Sequence, residues 1–157
     1  MKMRFDWQLE KQPYPYTFRY DVTDQTVTPC WTGNDMSDHR AGFSVCAGTL
    51  NLELDSDSSI IECWGYLPRE GWAASQERFV PEGFPGRIRV SSDADLVPGV
   101  SARIPGLWRP SALIDTSWLQ IDSGMTDDAD IYVRLAEGFV CGLAGAQLVT
   151  MWLLVNE

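Results

Sequence analysis

Glu53 and Glu62 are the pair of side chains in this sequence best placed to do acid–base chemistry. They fall in LNLELDSDSSIIECWGYL, where Leu50, Leu52 and Leu54 alternate with Asn51 and Glu53 and the DSDS stretch supplies turn chemistry. With residues 56–59 as the loop of a hairpin, Leu54 meets Ile61, Leu52 meets Cys63, and Glu53 lies opposite Glu62. Directly opposed side chains hold their Cβ atoms about 4.5–5.5 Å apart, and like charges there are destabilising, so something must compensate. A glycoside hydrolase uses such a pair, one carboxyl as acid and the other as nucleophile or base, on a platform that Trp64 or Tyr66 would complete. The plainer readings are an arginine shared by both carboxylates, a slipped register that moves Glu62 opposite Asn51, or splaying into water.

Asp-x-Asp occurs at Asp55/Asp57, Asp93/Asp95 and Asp128/Asp130, with Asp122 and Asp127 adding to the last. Loop oxygens of this kind build hard-cation sites, but aspartate also caps the backbone N–H groups of turns, and turn usage outweighs a metal here. Ser37, Asp38 and His39 carry the residue types of a hydrolase triad, yet adjacent side chains cannot form its relay, and no G-x-S-x-G elbow is present. Neither G-x-G-x-x-G nor a phosphate loop occurs, so no nucleotide cofactor is expected. Cys30, Cys46, Cys63 and Cys141 stand singly and His39 is the one imidazole, which favours buried free thiols over disulfides or zinc. Of the seven tryptophans, Trp7, Trp118 and Trp152 are expected in the core. Trp31, Trp64, Trp72 and Trp108 lie near loops or strand ends, where indoles stack on sugars or anchor interfaces.

These groups sit in a chain with 22 acidic and 12 basic side chains, a formal charge of −10. That sign argues against nucleic acid and anionic membrane surfaces and names a basic protein as the natural complement. The amino-terminal residues contain no apolar h-region, so a cytoplasmic location is expected. Segment 138–156 carries no charge, but Gln147, Thr150 and three glycines interrupt it and no Lys or Arg flanks it. It reads as a buried strand pair turning near 142–145, or a strand and a core helix, not as a membrane span.

The 157 residues are read as one acidic, β-rich domain. Met3, Phe5, Trp7 and Leu9 alternate with polar residues, and Tyr16, Phe18, Tyr20 and Val22 repeat the pattern. Antiparallel pairing across KQPYP sets Phe5 against Tyr20 and Trp7 against Phe18, with Arg4 opposite Asp21 and Asp6 opposite Arg19. Shorter strands are expected at 87–91, 100–104, 117–121 and 131–136. GWAASQERFV, with Trp72, Gln76 and Phe79 on one face, is the best helix. The expected fold is mainly β: an antiparallel β-sandwich or flattened barrel with at most one or two short helices.

Function then follows from charge. The expectation is a non-enzymatic acidic binding domain, an inhibitor or immunity-type protein that neutralises a basic partner such as a nuclease toxin. Asp122, Asp127, Asp128, Asp130, Asp55 and Asp57 would make the contacts, with Trp64 as anchor. The alternatives are a carbohydrate- or calcium-binding β-sandwich module and a small glycoside hydrolase using Glu53 and Glu62.

Overall fold

Alternation of apolar and polar side chains dominates the chain, and strands are what it forms. The computed structural model describes residues 2–33 and 35–157, so Asn34 of the TGNDMSDHR loop lies outside the described residues. Among these are fourteen strands: β1 (Met3–Leu9), β2 (Tyr16–Asp21), β3 (Thr26–Trp31), β4 (Arg40–Ala47), β5 (Leu50–Asp55), β6 (Ile60–Tyr66) and β7 (Ala73–Ser75). They continue with β8 (Phe84–Ser92), β9 (Ala102–Arg103), β10 (Arg109–Leu113), β11 (Trp118–Asp122), β12 (Ile131–Ala136), β13 (Phe139–Ala144) and β14 (Gln147–Asn156). The sheet order β1-β8-β12-β13-β14-β2-β3-β6-β5-β4-β9 curls into a half-barrel, with β11, β10 and β7 branching from β14.

Pairing is mixed, which corrects the antiparallel sandwich expected from the sequence. β12 runs parallel to β8, β14 to β2, β4 to β9 and β10 to β7. The β1/β2 hairpin does not form. Instead β1 pairs with β8, setting Phe5 against Val90 and Asp6 against Arg89, while β2 pairs with β3. Alternation fixes which face a residue takes but not which strand lies beside it, and β8 offers the same alternation and a cation for Asp6. Arg4 consequently meets Asp6 on its own strand, 3.5 Å away, rather than Asp21. Trp7, 44% exposed, lies against Phe84 at the rim and not in the core.

Segment 71–80 is not a helix. Its i, i+4, i+7 spacing is overridden by parallel pairing of Ala73–Ser75 with β10, and Phe79 is left 85% exposed. No α-helix occurs among the described residues; Ser37–His39 and Arg69–Gly71 form single 3-10 turns. The strand expected at 100–104 shortens to β9, whereas 131–136 matches β12. Segment 138–156 is the strand pair β13–β14, reversing at Gly145, whose φ of +58° suits glycine. No helix of the described chain is long and apolar enough to cross a membrane.

The core gathers Tyr16 and Phe18 of β2, the leucines of β5, Leu135 and Phe139. Buried phenols keep their hydrogen bonds: Tyr16 Oη donates to the Ile61 carbonyl at 2.8 Å and Tyr20 Oη to that of Leu67 at 3.0 Å. All four cysteines are free. Cys63 and Cys141 are buried as expected, whereas Cys46 is half-buried and Cys30 exposed.

Burial pushes the thiols of Cys63 and Cys141 well above their ordinary value of 9.0, and Tyr16 above 10.0, because a charge there would have no water. Below pH 9 both folded and unfolded chains hold the thiol protons. Above it the unfolded chain releases them and the native one does not, so stability falls as pH rises. Each thiol contributes a slope of about 1.4 kcal/mol per pH unit. The urea midpoint is therefore expected to drop between pH 8 and 10, and Cys63→Ala with Cys141→Ala to flatten that decline; an unchanged decline in the double variant would refute the assignment.

Candidate functional site

Two of the depressions formed by the described residues adjoin carboxylates singled out from the sequence. The first grows from the β11–β14 ladder, which sets Gln120 opposite Trp152 and Asp122 opposite Thr150. Gln120 Nε2 donates to Thr150 Oγ1 at 3.2 Å, and Tyr132 of β12 meets the Trp152 ring edge-on at 5.6 Å. These side chains reach one another across β13 because position 142 is glycine; a Cβ there would lie 2.7 Å from Thr150 Cγ2 and 3.0 Å from Ala129 Cβ.

Above this floor the 123–130 loop brings Asp127 and Asp128, and the 76–83 segment brings Glu77 and Phe79 from the other side. The result is a groove of about 520 Å³ carrying four exposed carboxylates, those of Glu77, Asp122, Asp127 and Asp128. No basic side chain is among the described residues that line it. Asp122 Oδ2 also accepts the Gly124 N–H at 3.1 Å, fixing the turn that launches the loop.

The structure thus brings Asp122, Asp127 and Asp128 together. Asp130 instead accepts the Gly145 N–H at 3.1 Å and borders a shallower depression with Glu82, sharing Tyr132 with the groove. Asp55 and Asp57 stand apart in the β5–β6 turn, where Asp55 Oδ1 accepts the N–H groups of Asp57 and Ser59 at 2.8 and 2.9 Å. Nothing in the sequence joins Glu77 and Phe79 to the Asp cluster some 45 residues later; strand pairing across the sheet does. Among the described residues no three His, Cys, Asp or Glu side chains are grouped to hold a metal ion. Asp38 and His39 are exposed on one 3-10 turn.

The second place is the Glu53/Glu62 pair. The register is the one the alternation predicts, Glu53 opposite Glu62 and Leu52 opposite Cys63, until a bulge sets Leu54 against Ile60 rather than Ile61. The like charges are offset by separate partners. Glu62, wholly buried, takes the Trp31 Nε1–H on Oε2 at 2.8 Å and the Arg40 guanidinium on Oε1. Glu53 Oε1 accepts the Trp64 Nε1–H at 2.8 Å.

The room for this cluster comes from β3 and β6, which pair only at Thr26–Tyr66 and Val27–Gly65 and then part. A cleft of about 460 Å³ lies there, lined by Trp31, Asp35, Arg40 and Trp64. Trp64 therefore borders this cleft and not the acidic groove. No family model, curated protein or solved structure matches the chain.

Proposed function

We propose that the protein is a non-enzymatic binding domain that holds a basic protein partner, in the manner of an inhibitor of a cationic nuclease. The observation that carries this reading is the groove of Glu77, Asp122, Asp127 and Asp128, in which four carboxylates face solvent with no cation among the lining residues. A phosphate-binding enzyme presents a cationic cleft, and an array of carboxylates complements it, accelerating encounter and fixing register. Phe79 on the rim and the half-buried Tyr132 on the floor, backed by the buried Trp152, offer aromatic surface to guanidinium or ammonium groups. The contacts of this reading are Asp122, Asp127 and Asp128 together with Glu77; Asp130 lies at the margin, and Asp55, Asp57 and Trp64 fall outside it.

The hydrolase alternative draws less support, because Glu62 has no exposed surface and its oxygens are engaged by Arg40 and Trp31. The decisive experiment immobilises the whole chain and offers it a panel of purified cationic nucleases. One of them is expected to bind, to lose activity when bound, and to release as salt rises from about 0.05 to 0.3 M. Asp127→Lys with Asp128→Lys is expected to weaken that complex by about a hundredfold, mostly through slower association. Retention that ignores both salt and the double charge reversal would sink the proposal.

A further inference from the structure

A second surface, separate from the acidic groove, carries its own chemistry: we infer that the outer face of β6, centred on Trp64, is a platform for a neutral saccharide. Trp64 and Tyr66 stand out on this face while Cys63 and Gly65 turn inward. Trp64 and Tyr66 are 41% and 44% exposed, and neighbours on one face of a strand stand about 6.6–6.8 Å apart. Two flat aromatic surfaces are thus presented in a row.

What surrounds them decides between ligand classes. Asn51 lies opposite Trp64, Thr26 opposite Tyr66, and Ser44 opposite Glu53. These are amide, hydroxyl and carboxylate groups, with no aliphatic side chain among them. A docking face for another protein carries an apolar core inside its polar rim. A sugar ring needs the reverse combination, an aromatic plane for its C–H face and hydrogen-bonding groups for the hydroxyls around its edge.

The Trp64 ring is also held ready. Its N–H is engaged by Glu53, which fixes the orientation of the half-exposed indole before any ligand arrives. The adjoining cleft, with Trp31 and Thr28 on its walls, has a volume of about 460 Å³, inside the range of about 300–1,000 Å³ usual for small-molecule sites. The charged side chains lining the cleft are one carboxylate, Asp35, and one guanidinium, Arg40, and Arg40 is bound to Glu62, so no excess of positive charge is there to select a uronate or a sulfated sugar. No residue lining this cleft lines the acidic groove, so the two surfaces fail or succeed independently.

The test is saturation-transfer NMR on the whole chain with purified oligosaccharides: glucans, mannans and N-acetylglucosamine oligomers as neutral probes and oligogalacturonate as the acidic one. Transfer to at least one neutral probe is expected. Trp64→Ala should weaken it about tenfold, and Tyr66→Ala, at a second exposed position, should weaken the same probe severalfold. Glu53→Ala should weaken it through loss of ring orientation while leaving the indole in place, and Asp127→Lys with Asp128→Lys should leave it unchanged. Absence of transfer from every neutral probe, binding indifferent to Trp64→Ala and Tyr66→Ala alike, or preference for the uronate would overturn the inference.

Discussion

An Arg40→Ala chain is expected to lose about 3 kcal/mol of stability, read as a lower urea midpoint at pH 7 with an unchanged slope. Glu62 is the reason. Its carboxylate has no exposed surface and sits opposite a second carboxylate, Glu53, across the β5–β6 ladder. Removing the guanidinium takes away the cation bound to Oε1 of that buried carboxylate, and breaking a buried pair costs about 3–5 kcal/mol. The low end applies because the Arg40 side chain is itself 42% exposed, so water enters on its side. Glu62→Gln is expected to cost only about 1 kcal/mol, since the amide oxygen still accepts from Trp31 and the Arg40 side chain is already 42% exposed to water. The sharper result is the double variant. Arg40→Ala in a Glu62→Gln background should be more stable than Arg40→Ala alone, because the buried charge that lost its guanidinium has gone. A double variant no better than the single one would show that Arg40 acts through packing of its stem and not through its charge.

That pair is also where the sequence was most legible. The DSDS turn is short and the alternation on both sides of it is strict, so the hairpin register follows from local chemistry alone. What compensates the like charges was not legible. Trp31 and Arg40 arrive from β3 and β4, and they can do so only because β3 leaves β6 after two residue pairs. The same limit misplaced β1: its alternating face was read correctly at Met3 and Phe5, but the pattern of β2 and that of β8, some 80 residues away, serve equally well as a partner. Asp122, Asp127 and Asp128 could be seen to cluster because they share one loop and the strand before it. Glu77, Phe79 and the Tyr132–Trp152 floor could not, since strand pairing across the sheet assembles them.

Gly65→Ala is expected to be at least as damaging as the loss of Arg40, about 3 kcal/mol or failure to fold. Gly65 belongs to the stretch of β6 with partners on both sides, Leu50 of β5 and Val27 of β3. A Cβ at this position would overlap the Thr49 carbonyl oxygen and lie 3.0 Å from Leu50 Cα. Both are backbone atoms, so no rotamer change relieves the contact and the start of β5 has to move. Its backbone is not in the left-handed region, so alanine carries no conformational penalty and the whole effect is steric. Gly71, with nothing within 4 Å and no left-handed φ, is the control: Gly71→Ala should fall within about 0.5 kcal/mol of the parent chain. Equal stabilities for the two variants would mean that the close approach of β6 to the Thr49 backbone is not a feature of the folded protein. The consequence reaches past stability, because Gly65 lies between Trp64 and Tyr66. A fold that survives Gly65→Ala by shifting β5 would carry Asn51 and Glu53 away from the Trp64 ring, and saccharide binding would fall with the hydrogen bond that orients it.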